Sequence, residues 1–199
     1  MTKVKVFLPL LACLFLLTSC SWFHKKNSND NSFVSYIDIG RIIDTDEIKK
    51  GGTIAVIPFK AGPDVIASDK LDKTSLMIVR GISETLESGS GQIFTFATAQ
   101  QAENADFFIE GHIISIQKPS RMKRWFLRKK YVELTVKGRL KSVHIDKTLL
   151  FFEDKVRMDK KKLKKIKDID SAYKELGYEA GANIANYLLS IVNANEASI

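Results

Sequence analysis

Val132-Glu133-Leu134-Thr135-Val136-Lys137-Gly138-Arg139-Leu140 alternates strictly between apolar or small side chains and polar ones. Successive side chains of a β-strand point to opposite faces of its sheet, so this stretch predicts a strand with one apolar face and one polar face. This pattern is the clearest structural signal in the sequence.

Other stretches have the composition of strands. Residues 53–59 form a compact run of β-branched and aromatic side chains, which predicts a buried strand. Residues 92–98 predict a short strand, and residues 149–153 predict another after a turn at residues 144–147. Residues 107–116 are apolar on both faces, as in a strand covered on both sides or one with a bulge at Gly111. Residues 33–39 alternate weakly and are a candidate edge strand.

Two segments have helical periodicity. The first begins after the capping residues Ser68 and Asp69 and closes at Gly89; the second follows Asp168 and Asp170, whose carboxylates suit the positive end of a helix. The residues that repeat at helical spacing are Leu71, Ile78, Val79, Ile82 and Leu86 in the first helix, and Tyr173, Leu176, Ala180, Ile184, Tyr187, Leu188 and Ile191 in the second.

The second helix also has a small residue at every fourth position, at Gly177, Gly181 and Ala185. Its polar side chains argue against dimerisation in a membrane, so we expect this stripe to pack closely on the sheet. The fold class is therefore α+β, an α/β sandwich. We expect a mixed sheet of about five strands with two helices packed on one face, preceded by a signal peptide and a short tether.

The start of the chain predicts where the protein works. Lys3 and Lys5 precede an apolar run over residues 6–17, and the segment ends in Leu17-Thr18-Ser19-Cys20. A basic segment, about a dozen apolar residues and small residues before a cleavage point are typical of a secretory signal peptide. A retained anchor is disfavoured, because a spanning helix needs about 20 apolar residues.

Leu17, Thr18, Ser19 and Cys20 resemble the bacterial lipobox, whose cysteine is acylated and becomes the first residue of the mature protein. A similar string ends at Cys13, but cleavage there would leave too little apolar segment ahead of it. The resemblance implies a lipoprotein with a covalent lipid, including palmitate, on Cys20. The next residue is a serine rather than the Asp that favours inner-membrane retention, which points to an outer-membrane protein that faces the periplasm.

The rest of the chain predicts a tether and one domain. Residues 24–32 have no apolar side chain and read as flexible. Cleavage would leave one cysteine, so the mature chain forms no internal disulfide. The predicted organisation is a signal peptide at residues 1–19, the lipidated cysteine and tether at 20–50, the α/β domain at 51–193 and a tail at 194–199.

Three motifs resemble the domain family shared by the TolB amino terminus, CsgG and LpoB. They are Thr53-Ile54-Ala55-Val56-Ile57-Pro58-Phe59, Ala105-Asp106-Phe107-Phe108-Ile109-Glu110-Gly111 and Val143-His144-Ile145-Asp146-Lys147-Thr148. The resemblance covers residues 52–192, although Leu149 replaces the glycine that commonly follows the Asp-Lys-Thr turn. It implies a cell-envelope protein and leaves the subgroup open.

The sequence lacks the groupings that are typical of enzymes. His112 and His144 each have one carboxylate two residues away, Glu110 and Asp146, and neither has a third ligand or a cysteine nearby. Glu110 is expected to be paired or to face solvent. We therefore expect no enzymatic activity, no metal and no cofactor other than the lipid on Cys20.

Residues 118–130 are the main candidate for binding, since they hold seven basic residues, no acidic residue and a central Trp-Phe-Leu. This mixture suits a membrane interface or a protein hot spot, and the third interpretation is a solvated hairpin whose Trp folds back on the core. A second basic cluster at residues 160–165 is diluted by nearby aspartates. The residues predicted to bind a partner or an anionic surface are Arg121, Lys123, Arg124, Trp125, Phe126, Arg128, Lys129 and Lys130.

Two functions fit these observations. The first is a non-enzymatic, lipid-anchored periplasmic binding module that docks an envelope protein through residues 118–130; resemblance to LpoB implies a cell-wall synthase as that partner. The alternative is an outer-membrane assembly or transport component, either a lipopolysaccharide-assembly lipoprotein or a CsgG-like oligomer. The expected partners are the membrane through the anchor, an envelope protein, and lipopolysaccharide or anionic lipid. The signal peptide excludes nucleic acid.

Overall fold

The computed structural model describes residues 36–89, 93–97, 102–117, 132–158, 162–163, 166 and 168–194. They lie in one compact unit, Ser35–Ile199. In chain order its elements are β1 (Ile39–Ile42), α1 (Thr45–Lys49), β2 (Gly52–Val56), β3 (Lys60–Ala61), α2 (Asp69–Ser88), β4 (Phe94–Phe96), a 3₁₀ turn (Ala102–Asn104), β5 (Phe107–Gln117), β6 (Val132–Ser142), β7 (Lys147–Met158) and α3 (Ile169–Asn193).

The strands form one mixed sheet of seven strands in the order β1-β7-β6-β5-β2-β4, and β3 pairs with β5. β2 runs parallel to β4 and β5, and β3 runs parallel to β5, whereas β5, β6, β7 and β1 are antiparallel neighbours. The predicted α/β sandwich with a mixed sheet is confirmed. The two strands beyond the predicted five are the edge strand β1 and the two-residue β3.

The long helices begin and end close to their predicted signals. α2 starts directly after Ser68 and stops before Gly89. Asp168 caps α3, because its carboxylate accepts the backbone N–H of Ser171 at 2.7 Å. The buried side of α2 consists of Leu71, Thr74, Ser75, Ile78, Gly81, Ile82 and Leu86, as the periodicity predicts, and Val79 is half-buried beside it.

The glycines of α3 face α2, so the prediction that they pack on the sheet is wrong. A Cβ on Gly181 would meet the carbonyl oxygen of Ile78, and a Cβ on Gly81 of α2 would meet that of Tyr178. Gly177 makes the same kind of approach to α2. Each helix backbone therefore fills space that a side chain on the other helix would need.

Strand β6 has the predicted alternation, with an exception on its polar face. Leu134, Val136 and Leu140 are fully buried, and Glu133 and Thr135 are also buried, each 6% exposed. A charged side chain is rarely buried unless it is paired. Glu133 has such a partner on β7, where the Nε of Arg157 lies 2.6 Å from its Oε2.

The irregular register of β5 lies between Ile113 and Ser115 rather than at Gly111. Gly111 instead pairs in register with Gly138 of β6. A Cβ on Gly111 would meet the Lys137 carbonyl oxygen and the Phe59 ring. The glycine is thus explained by close packing and not by the bulge predicted there.

The folded domain begins before the boundary predicted near residue 51. β1 pairs with β7, Ile48 of α1 is fully buried, and Ile37 is 4% exposed. Residues 36–50, which were predicted as part of the tether, therefore belong to the domain because two buried isoleucines hold them on the core. Within the described residues no helix is both long and apolar enough to cross a membrane.

Candidate functional site

The residues predicted to anchor and dock the protein lie outside the described part of the chain. They are Leu17, Thr18, Ser19 and Cys20 at the lipobox, and Arg121, Lys123, Arg124, Trp125, Phe126, Arg128, Lys129 and Lys130 in the loop. Both sites stay predictions. The loop does have placed ends, since it connects β5 at Gln117 to β6 at Val132.

The face of the sheet opposite α2 and α3, here called the open face, carries two parallel rows of side chains. Cross-strand partners point to the same face of a sheet, so the register assigns each row. All members except Glu110 and Glu153 are exposed. The first row is Lys60, His112, Lys137, Glu153 and Ile39, and the second is Glu110, Arg139, Phe151 and Arg41.

A groove runs between the two rows, across the strands. Its floor is the backbone of Gly111, Gly138, Phe152 and Gly40, which are cross-strand neighbours in that order. The side chain of Phe152 points towards the helices, and so would a Cβ placed on any of the three glycines. At Gly40 the Tyr187 ring fills that space. The groove measures about 480 Å³, and a hollow of about 210 Å³ adjoins it towards β1. A volume of this size suits a small ligand or a short segment of a larger one.

Ion pairs join the strands on both sides of the groove. Arg139 donates to Glu110, with its Nε 2.6 Å from Oε1, and the Nζ of Lys137 lies 3.0 Å from Oε2 of Glu153. Pairs with this much exposure contribute little to stability. Their main effect here is to orient the charged side chains along the groove.

The groove and hollow carry excess positive charge and exposed apolar side chains. Four basic side chains face two carboxylates, which leaves a net charge of +2 with His112 neutral. Among the described residues, Lys60 at one end and Arg41 at the other have no carboxylate partner. Phe151 is 43% exposed and Ile39 is 59% exposed. This combination of unpaired cations and apolar side chains can bind a ligand that is both anionic and apolar.

Glu110 has the paired, partly exposed position predicted for it, whereas the carboxylate in contact with His144 is not the one two residues away. Nε2 of His144 lies 2.8 Å from Oδ1 of Asp106, whose Oδ2 accepts the backbone N–H of Thr53 at 2.7 Å. The Thr53 hydrogen bond, followed by the His144 contact, holds the pKa of Asp106 below its usual value. Asp146 pairs with a lysine instead. The Asp106 cluster joins β2, β5 and the turn after β6.

Asp154 is a second carboxylate that the spacing did not single out. It is 4% exposed between β7 and α3, where Nδ2 of Asn183 donates to Oδ2 at 3.0 Å and the N–H of Lys155 donates to Oδ1 at 3.0 Å. Burial, reinforced by the charges of Asp38 and Glu179, raises the pKa of Asp154 to about 6. Its side chain points towards the helices, away from the groove.

A metal site and the second basic cluster, at residues 160–165, were two further candidates for a functional site. No three His, Cys, Asp or Glu side chains of the described ranges lie close enough together to hold a metal ion. In the second basic cluster, the Nζ of Lys162 lies 3.7 Å from Oε2 of Glu179. The other lysines of this cluster lie outside the described residues.

The fold and the site define a mixed α/β sandwich protein with helices on one face of the sheet and a positively charged groove on the other. No family model matches the chain, and no curated protein matches its sequence. The resemblance to the TolB amino-terminal, CsgG and LpoB-like family therefore stays a prediction.

Solved bacterial structures show limited similarity. The chain is 12% identical to the PelC dodecamer protein of Paraburkholderia phytofirmans, with a TM-score of 0.46 over 74% of this chain and 96% of that one. It is 7% identical to protein XCC0632 of Xanthomonas campestris, with a TM-score of 0.45 over 75% and 90%. For lipoprotein GNA1162 of Neisseria meningitidis the identity is 13% and the TM-score 0.36, over 68% and 99%. Values this low assign neither a family nor a function to this chain.

Proposed function

We propose that the protein is a non-enzymatic, lipid-anchored binding module that faces the periplasm from the outer membrane. The observation that carries this proposal is the string Leu17-Thr18-Ser19-Cys20 at the end of a basic and then apolar leader. Such a leader directs export, and a cysteine at its cleavage point is acylated. The serine that follows Cys20 supports the outer membrane as the destination.

The anchor limits where a partner can be. Sixteen residues separate Cys20 from Ile37, the first core residue in the described part of the chain. Even fully extended, this connection spans at most about 60 Å. The partner, an envelope protein, must therefore reach the domain close to the membrane that holds the lipid.

The docking surface in this proposal includes the basic loop at residues 118–130. The loop connects β5 and β6, which are the two strands that contribute Gly111 and Gly138 to the groove floor. Trp and Arg are enriched among the residues that dominate protein interfaces. The loop has both, and its seven basic residues would attract an acidic protein surface.

In-cell photo-crosslinking with the probe at position 125 tests this function. We expect a discrete protein adduct from Trp125 replaced by the photoreactive residue. The matched control places the probe at Leu76, which is 59% exposed on α2, a helix on the face of the sheet opposite the groove. The same adduct from both positions, an adduct with lipid or lipopolysaccharide alone, or no adduct from position 125 would contradict docking through the loop.

A further inference from the structure

We propose that the groove on the open face binds an extended acidic peptide segment of the partner protein, with an apolar side chain of that segment against Phe151. The inference rests on the proposed function, since it names the kind of segment that the module docks. It concerns residues other than those of the 118–130 loop.

The length of the groove fits an extended chain. Lys60, His112, Lys137, Glu153 and Ile39 lie on five successive strands, β3, β5, β6, β7 and β1. Neighbouring strands lie about 4.8 Å apart, so the row spans about 19 Å. An extended peptide rises about 3.3 Å per residue, and about six residues cover that length.

The charges fit acidic residues at both ends of the segment. Lys60 and Arg41 have no carboxylate partner within the described ranges, and they lie on the outermost strands of the groove, β3 and β1. Between them, Arg139 and Lys137 are held by their own carboxylates. A ligand carboxylate therefore gains most at the two ends, where it need not displace an existing pair.

Apolar surfaces lie near both ends of the groove, beside the two unpaired cations. Phe151 lies beside Arg41 in the second row. Ile39 lies on the same strand as Arg41, in the first row. Ile57 and Pro58 line the groove near Lys60. These aliphatic and aromatic surfaces can pack against a leucine or phenylalanine side chain. Glu110 and Glu153 can in addition accept hydrogen bonds from backbone N–H groups of the peptide.

The test uses the full mature, acylated protein in detergent. The ligands are mixtures of fluorescein-labelled hexapeptides. One set has Asp or Glu at both ends and Leu or Phe at the positions next to the ends. A second set has Lys at the ends, and a third has Ser at the positions next to the ends. Binding is followed by fluorescence anisotropy. We expect the first set to bind at least about tenfold more tightly than either of the others, since each loses one of the two kinds of contact.

Variants locate the binding. Lys60→Glu and Arg41→Glu should each weaken binding of the acidic set about fivefold, the upper end for an exposed ion pair. Phe151→Ser should weaken it about tenfold, as loss of an aromatic anchor does. Lys155→Glu is the matched control, because this exposed lysine lies on the open face of β7 outside the groove lining and the variant makes the same change of charge. Its binding should stay within twofold of the wild type, about the effect of one distant exposed charge.

Several results would overturn the proposal. These are absence of binding by the acidic set, equal binding of the three sets, and equal losses in Lys60→Glu and Lys155→Glu. Binding of an acidic oligosaccharide or of anionic lipid vesicles that depends on Lys60 and Phe151, without binding of the peptides, would assign the groove to that ligand instead. None of these outcomes alters crosslinking at position 125, so failure of this proposal is distinguishable from failure of the proposed function.

Discussion

Asp154 places a titratable group inside the contact between the sheet and α3. Its carboxyl is 4% exposed, and its pKa is raised to about 6 from 3.8 chiefly by burial. A raised pKa means that the folded state binds the proton more tightly than the unfolded state does. The stabilisation from this group is complete below pH 3.8 and is lost as the pH rises through about 6. At neutral pH the charged Asp154 therefore lowers the free energy of unfolding.

Replacing Asp154 with asparagine should remove this dependence. One pKa unit corresponds to about 1.4 kcal/mol, so Asp154→Asn should gain up to about 3 kcal/mol of unfolding free energy over wild type at pH 7. The gain should shrink towards zero near pH 4, and urea denaturation at several pH values measures it. Asp64→Asn, the same substitution at an exposed carboxylate, is the control for the change of side chain. A difference between Asp154→Asn and wild type that stays constant with pH would contradict the raised pKa.

Single side chains show why sequence spacing fails to identify partners. His144 has Asp146 two residues away, yet it contacts Asp106, which is 38 positions distant. The sequence predicts that Glu110 is paired or faces solvent, and its partner Arg139 is fixed by strand register and not by proximity in the sequence. Local spacing identifies which groups need a partner. It does not give the register that supplies one.

At the level of elements, the two long helices contact each other through glycine. Helix interiors normally favour alanine over glycine by about 1 kcal/mol, so glycine at positions 81 and 181 needs a reason. The reason is that a Cβ at either position would meet a backbone carbonyl oxygen of the other helix. A backbone atom cannot move aside as a flexible side chain can.

Gly181→Ala should therefore destabilise the protein although alanine is the better helix former. Overpacking of this kind costs about 1–3 kcal/mol, and we expect a net loss of about 1–2 kcal/mol in unfolding free energy, measured by thermal or urea denaturation. Glu175→Ala at an exposed position of α3 is the control and should change stability by less than about 0.5 kcal/mol. A Gly181→Ala variant that is more stable than wild type would show that propensity outweighs the helix contact.

The amino-terminal elements β1 and α1 were not predicted as part of the domain, since both precede the predicted boundary. All four residues of β1 are exposed, so their pattern does not resemble a buried strand. Ile37 and Ile48 nevertheless sit in the core. The capping residues and the apolar stripes made α2 and α3 predictable, whereas the weak alternation of residues 33–39 indicated only a candidate edge strand and no pattern indicated α1.

A chain that begins at residue 51 should be less stable than one that begins at residue 36. Burial of an isoleucine contributes about 1.5–3 kcal/mol, so losing Ile37 and Ile48 should cost at least about 3 kcal/mol. Urea denaturation of both chains, with the full mature chain as the reference, measures the difference. If the chain that begins at residue 51 has the same midpoint as the longer ones, β1 and α1 are dispensable and the boundary predicted from the sequence is restored.

At the level of the whole molecule, the two faces of the sheet differ. One face is covered by α2 and α3, and the other carries the groove between two rows of charged and apolar side chains. The alternation in β6 predicted one apolar and one polar face, but it could not predict the groove. The groove brings together residues of β1, β3, β5, β6 and β7, and only their register places Lys60, Lys137 and Ile39 in one row.

The proposed function depends on a lipid on Cys20, and mass spectrometry of the amino-terminal peptide can detect that lipid. Protein extracted from membranes and digested with trypsin should yield residues 20–25 carrying a diacylglyceryl group and a fatty acyl chain on the cysteine. Cys20→Ala should stay uncleaved and unacylated, and Cys13→Ala should be processed like wild type. A chain that keeps residues 1–19, or one that carries its lipid at Cys13, would contradict the anchor and the function proposed from it.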